Sequence, residues 1–227
     1  MTFEGIQKFT LLDYPGKIAA TLFTPGCNFR CPFCHNSELV TANVNKGRIT
    51  SDKILTFLSS RKGLLQGVCI TGGEPTLQSG LLEFINEVKS MGFLVKLDTN
   101  GERPDVLQSL LDLNVLDYVA MDVKNSLKSY ALTVGIENFD TSHIQKSIDI
   151  LKKSTIDYEF RTTVVKEFHQ ESDFDAMYDL LKGARLWRLQ EFRDSPGCFS
   201  KNLHPIPSDE LKLLISRYLS DKTIQIY

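Results

Sequence analysis

The sequence predicts an α/β fold, an open (βα)6 partial TIM barrel, and three observations carry that expectation. Short apolar runs alternate six times with amphipathic stretches. The connections between them are short, which favours parallel strands joined by right-handed crossovers. Six units are two fewer than a closed eight-unit barrel needs, so the sheet should stay open. The polar motifs fall at, or late within, the predicted strands, and in parallel α/β architectures that edge carries the site.

The elements follow in order. Residues 6–16 form an irregular or short-strand lead-in closed by a Tyr14-Pro15-Gly16 turn. Strands are expected near 17–23, 67–71, 93–97, 117–121, 158–165 and 186–192. Helices are expected near 51–61, 81–91, 104–113, 142–153, 172–182 and 208–219. Thr50-Ser51-Asp52 supplies an N-cap for the first helix, Pro104 opens the third, Ser142 caps the fourth, and Gly92 stops the second. Residues 38–49 read as a mixed connector. Residues 193–207 form a 15-residue stretch leaving the last strand. Long loops of this kind in compact domains are usually functional, and this one is expected to receive a partner's polypeptide.

Composition narrows the class. The 227 residues suit one domain, 1–227, with 42% hydrophobic and 24% charged residues and a net charge of −2. That balance gives no broad nucleic-acid footprint. No apolar run approaches a membrane span, and the N-terminus is too polar for a signal peptide. Five cysteines, three of them clustered, point to the reducing cytoplasm.

The cluster is Cys27, Cys31 and Cys34, in Cys-x3-Cys-x2-Cys spacing, with Gly26 and Pro32 excluding a long helix. A loop of this kind can curl around one metal centre. Three thiolates fill three irons of a cubane and leave the fourth open to a chelating ligand. A zinc site would need a fourth ligand, and His35 is the nearest candidate, although adjacent residues rarely reach one tetrahedral ion. A disulfide reading is weak for an odd number of thiols.

The run Gly26-Cys-Asn-Phe-Arg-Cys-Pro-Phe-Cys-His-Asn36, with aromatic Phe33 before the last cysteine, resembles the radical S-adenosylmethionine (radical SAM) superfamily. The resemblance implies the partial-barrel fold, a [4Fe-4S] cluster on Cys27, Cys31 and Cys34, and S-adenosylmethionine on the open iron. It also implies reductive cleavage to a 5′-deoxyadenosyl radical that abstracts hydrogen from substrate.

Gly72-Gly73-Glu74-Pro75 removes two side chains at a strand end, so a ligand can approach, and Glu74 can accept from an ammonium. A tight turn would look the same. The resemblance assigns Gly73 and Glu74 to the methionine amino group. Asp98 and Asp122-Val123-Lys124 stand at neighbouring strand ends, where a capping aspartate and a surface ion pair are the simpler reading. The pattern Asp98-Thr-Asn-Gly101 with Asp122-x-Lys124 resembles the glycyl-radical-enzyme activases, in which it implies S-adenosylmethionine contact and a possible monovalent cation. An inward Arg161 needs an anionic or polar partner, either the methionine carboxylate or ribose, or else Glu159 or Glu191. Phe33 can pack on adenine or belong to the core, and Asn36 completes the Cys-His-Asn run of the activases.

Gln190 and Glu191 are weaker candidates. His143, His169 and His204 read as surface or structural, Cys69 as a small buried hydrophobe, and Cys198 as a lone loop thiol.

The lead-in Asp13-Tyr14-Pro15-Gly16-Lys17 and the cysteine run resemble the anaerobic ribonucleoside-triphosphate reductase activating proteins. That resemblance implies a glycyl radical enzyme as partner, anaerobic ribonucleotide reductase, and a flavodoxin- or ferredoxin-type electron donor. Two other readings stay open at this point: a 7-carboxy-7-deazaguanine synthase-like enzyme, and a non-catalytic metal-binding or redox module.

Overall fold

The computed structural model describes residues 1–41 and 48–226; the connector expected at 38–49 therefore lies partly outside the described residues. In chain order the elements are β1 (Thr2–Phe3), β2 (Gly5–Thr10), β3 (Ala19–Thr24), α1 (Ser37–Val40), β4 (Ile49–Thr50), α2 (Ser51–Ser59), β5 (Gly67–Gly72), α3 (Leu81–Ser90) and β6 (Leu94–Thr99). They continue as α4 (Pro104–Asp112), β7 (Tyr118–Asp122), α5 (Tyr130–Val134), α6 (Ser142–Lys153), β8 (Asp157–Val164), α7 (Glu171–Leu181), β9 (Trp187–Glu191), α8 (Ser208–Leu214) and β10 (Ile224–Ile226).

The main sheet has eight strands in the order β10-β9-β8-β7-β6-β5-β3-β2. All neighbours are parallel except β2, which runs antiparallel to β3. The six expected βα units are β3, β5, β6, β7, β8 and β9 with their helices, and among the described residues the sheet ends in two free edges. Sequence reading left out β10 and the β1–β4 pair, and resolved the lead-in 6–16 only loosely; most of the edge strand β2 falls within it. The last helix is shorter than expected, giving way to a 3-10 turn at Ser216–Tyr218.

Each helix buries one face. In α3, Leu81, Phe84, Ile85 and Val88 recur at helical spacing and are buried, and Gly92, with φ +91°, follows the helix end. Ser142 is the first residue of α6, with Thr141 at the N-cap position, and its N–H donates to the Asp140 carboxylate at 2.9 Å. Thr50 does occupy the N-cap position of α2, but without a side-chain cap bond.

The strands alternate apolar outward residues with polar residues toward the barrel lumen. Val95 and Leu97 pack under the helices, while Lys96 and Asp98 share the opposite face. Neighbouring registers pair Lys96 with Tyr118 and Asp122 with Arg161. Polar side chains from three adjacent strands are thereby stacked inside the lumen. No helix among the described residues is long and apolar enough to cross a membrane.

Candidate active site

The cysteine loop leaves the C-terminal end of β3 and is fixed by other segments. Gly73 N donates to Thr24 O at 2.8 Å and Glu74 N to Gly26 O at 2.7 Å. A Cβ on Gly73 would stand 1.9 Å from Gly26 O, and one on Gly72, where φ is +111°, would stand 2.4 Å from Thr24 N. The two glycines therefore make room for the backbone of the cysteine loop, where sequence reading expected them to make room for a ligand. Arg30 N donates to Val134 O at 2.8 Å, tying the loop to α5.

The stretch 193–207 closes the other side. Ser200 N donates to Pro32 O at 2.9 Å, and a Cβ on Gly197 would meet His35 O at 2.3 Å. His35 stacks on Phe192 with centroids 5.5 Å apart, and its Nε2 lies 2.6 Å from Arg193 O. Cys198 is buried, with its thiol 3.8 Å from Phe33 O. The stretch expected to receive a partner's polypeptide thus also braces the cysteine loop. His35 Nε2 is thereby engaged by the Arg193 carbonyl, while the residue still borders the cavity.

Cys27, Cys31 and Cys34 line one cavity of about 330 Å³, within the size range of small-molecule pockets. Burial pushes the Cys27 thiol up to about 11 and the Cys31 thiol up to about 12. Three thiolates gathered there need the charge of a bound metal centre. Phe29 N lies 3.4 Å and Asn100 Nδ2 3.9 Å from Cys27 Sγ, so N–H groups already aim at that sulfur. Among the described residues no group of three or more His, Cys, Asp or Glu is arranged to hold a metal ion. A donor set of three thiols on one wall fits a cubane with one iron left unligated by protein.

A second wall of the cavity is charged. Arg161 donates from Nε to Asp122 at 2.9 Å and from a terminal nitrogen to Asp98 at 3.0 Å. Lys124 donates to Asp122 at 2.8 Å, and Lys96, only 1% exposed, pairs with Asp98. Burial would raise both carboxyls, but the cations outweigh it. Asp98 is held below the usual carboxylate range, and Asp122 is lowered to about 2. Burial would lower Lys124 and Arg161, and the carboxylates raise both instead. Arg161 thus pairs with Asp98 and Asp122, while Glu159 pairs with Arg188 at 2.6 Å. The monovalent cation expected between the two carboxylates is not assigned, because three side-chain cations already face them.

The Glu74 carboxylate is engaged within the protein, and the residue also lines the cavity. Glu74 is 1% exposed and accepts from Thr76 N at 3.1 Å, Thr99 Oγ1 at 2.8 Å, Asn100 N at 2.7 Å and the Thr76 hydroxyl. Burial raises its pKa against those donors. The carboxylate clamps the end of β5 to the end of β6. Phe33 is buried against Phe168, with centroids 5.8 Å apart, and also lines the cavity; Asn36 lines it from the exposed start of α1. Gln190 lines the cavity, whereas Glu191 faces Ser208.

Sequence reading missed Lys96, Asn28 and Asn100. Asn100 Nδ2 donates to Asn28 Oδ1 at 2.8 Å, coupling the β6 end to the cysteine loop. The period-two pairing of Lys96 with Asp98 was the available signal. His169, taken as surface or structural, is buried, with Nε2 2.9 Å from the carbonyl of Lys124.

Comparison with known proteins matches the radical SAM superfamily model to residues 21–181. A Methanocaldococcus jannaschii protein named for glycyl-radical enzyme activation is 32% identical, over 98% of this chain and 95% of its own length. The pyruvate formate-lyase-activating enzyme of Staphylococcus epidermidis is 30% identical over 55% of each chain. A radical SAM methyltransferase structure from Sphaerobacter thermophilus superposes with a TM-score of 0.73 at 11% identity, covering 94% of this chain and 67% of that one, and so shares the fold. With a superfamily match across most of its length and a relative spanning nearly all of it, this chain belongs to the radical SAM superfamily and, within it, to the glycyl-radical enzyme activating enzymes.

Proposed function

We propose that residues 1–227 work as one radical SAM domain that installs a glycyl radical on a partner enzyme, and that the partner is anaerobic ribonucleotide reductase. The observation that carries this reading is the single cavity with three thiols on one wall and the Asp98–Arg161–Asp122–Lys124 lattice on the other.

The superfamily brings a [4Fe-4S] cluster and S-adenosylmethionine. In the proposed assignment Cys27, Cys31 and Cys34 hold the cluster. Bound together, these cofactors supply a 5′-deoxyadenosyl radical once one electron has been delivered. Lys124 and Arg161 offer positive charge to the methionine carboxylate, with Asp98 and Asp122 fixing their positions. The backbone at Gly73 and Glu74 faces the amino group, while the Glu74 side chain holds that backbone in place. Phe33 and Asn36 border the adenine side. The net change on the partner is loss of one Cα hydrogen from a backbone glycine, which appears in 5′-deoxyadenosine. A flavodoxin- or ferredoxin-type protein supplies the electron.

The partner assignment rests on the Asp13-Tyr14-Pro15-Gly16-Lys17 lead-in together with the cysteine run. The five cysteines, all free thiols, suit a reducing cytoplasm. The reading as a non-catalytic metal module does not survive the family membership.

The test is anaerobic incubation of the reconstituted, reduced protein with S-adenosylmethionine and the reductase. A glycyl radical signal on the reductase, with 5′-deoxyadenosine formed alongside, is expected. Cleavage with no radical on the reductase, but a radical on pyruvate formate-lyase, would replace the partner and keep the reaction. No cleavage at all would reject the reaction.

A further inference from the structure

The free edge of the sheet at β2 carries an apolar surface that the cavity does not account for. Phe9, Leu11 and Leu12 are 56%, 62% and 79% exposed, and they lie within four residues of chain. β2 pairs only with β3, so its outer main-chain edge has no ladder partner among the described residues. The ladder shifts register between Gln7 and Thr10, and a bulge of this kind re-aims side chains beside a site.

The leucines are held outward on a fixed turn. The buried Thr10 hydroxyl accepts from Leu12 N at 3.1 Å and from Asp13 N at 3.2 Å. The next residue, Asp13, accepts from the Thr21 hydroxyl, and both line the cavity. The apolar turn lies at the N-terminal end of β3, where Thr10 pairs with Ala19, and the chain passes from it through Asp13 to the side of the cavity away from the cysteine loop. A protein edge strand recognises another backbone in extended form, with side chains of the added strand meeting the apolar residues beside it. A lipid surface has no backbone groups to match that edge.

We propose that Phe9, Leu11 and Leu12 receive the polypeptide substrate: an extended apolar segment of the partner lies along the outer edge of β2 and passes its glycine over Asp13 into the cavity. This rests on the glycyl-radical reading above and adds to it the surface and the chemistry of the segment bound there. An apolar contact at an interface centre is worth about tenfold or more in affinity when removed.

The experiment compares the full chain, Leu11→Asp/Leu12→Asp and the control Leu213→Asp, which alters an equally exposed leucine on α8. Two quantities are measured: affinity for anaerobic ribonucleotide reductase, and 5′-deoxyadenosine formed without partner. The expected result is a reductase affinity about tenfold or more weaker in the double variant only, with uncoupled cleavage and melting temperature unchanged. Equal affinity in all three proteins overturns the assignment. So does a wild-type dimer that the double variant dissociates, since a second copy then covers the edge; absence of reductase binding by the wild-type chain would instead replace the partner, and the same three proteins compared on pyruvate formate-lyase would then decide the surface. Failure of the wild-type chain to cleave S-adenosylmethionine would instead count against the reaction, and the affinity comparison would still decide the surface.

Discussion

The two walls of the cavity are built in different ways. The charged wall stands on strands: Lys96, Asp98, Asp122 and Arg161 occupy β6, β7 and β8, whose ladders fix their spacing. The cysteine wall stands on a loop, which is positioned by Gly73 and Glu74, by Val134 and by Ser200. Strand-borne groups inherit precision from the sheet. Loop-borne groups need separate braces, and this chain supplies them from three distant stretches. Damage to a brace should therefore cost the cluster, while damage to the lattice should cost S-adenosylmethionine binding and leave iron in place.

Replacement of Cys31 by Ala has the largest expected effect. Iron content and 5′-deoxyadenosine formation should both fall to background, and a variant that still cleaves would show that the ligands are misassigned. Gly73→Ala comes next. Its Cβ would meet a backbone oxygen rather than a flexible side chain. We expect about 3 kcal/mol of destabilisation, the upper end for overpacking, together with reduced iron. Thermal unfolding and iron analysis check both. Deletion of residues 195–203 should act in the same direction and lose cluster and cofactor binding together; selective loss of partner activation would favour the view of that stretch as a receiving loop.

Arg161→Met breaks the lattice and tests the contrast from the other side. Removing one partner of a buried ion pair costs about 3–5 kcal/mol. Arg161 keeps 17% side-chain exposure, so about 2–3 kcal/mol is expected. Iron content should stay at the wild-type level while S-adenosylmethionine affinity drops, as titrated by calorimetry. Iron loss here equal to that of Gly73→Ala would erase the distinction between the walls.

The lattice also sets an acid limit. The folded-state pKa of Asp122 is depressed to about 2. Its contribution to stability is therefore present above the unfolded value of about 4 and lost as pH falls from about 4 toward about 2. Arg161→Met should flatten that part of the stability profile measured by denaturant titration. The smallest effect is expected at His35→Ala, which removes one hydrogen bond and one ring contact from an exposed brace, at about 1 kcal/mol.

Much of this was legible in the chain. Periodicity located the six βα units, and the strand-end position of Cys27, Glu74, Asp98 and Asp122 placed them on one edge. What escaped reading has identifiable physical causes. β10 is three residues long and follows a helix that ends early, so neither length nor pattern marks it. Lys96 sits in an apolar run, and only its period-two relation to Asp98 shows that it points into the lumen. The partners of Arg161 depended on register between strands, which local sequence does not encode. Gly72 and Gly73 were read as space for a ligand because a missing side chain does not say which neighbour needs the room. The bracing by 195–200 was hidden because a loop without periodicity carries no sign of what it packs against.

What we propose is that three loop-borne thiols would hold a cluster with one iron left to S-adenosylmethionine, in the cavity that also carries the charged side chains. Its most direct test is electron paramagnetic resonance of the anaerobically reconstituted, dithionite-reduced protein, with and without S-adenosylmethionine. A reduced cubane signal that changes shape when S-adenosylmethionine is added is the expected result. A signal indifferent to it, or protein that takes up no iron, would contradict the claim.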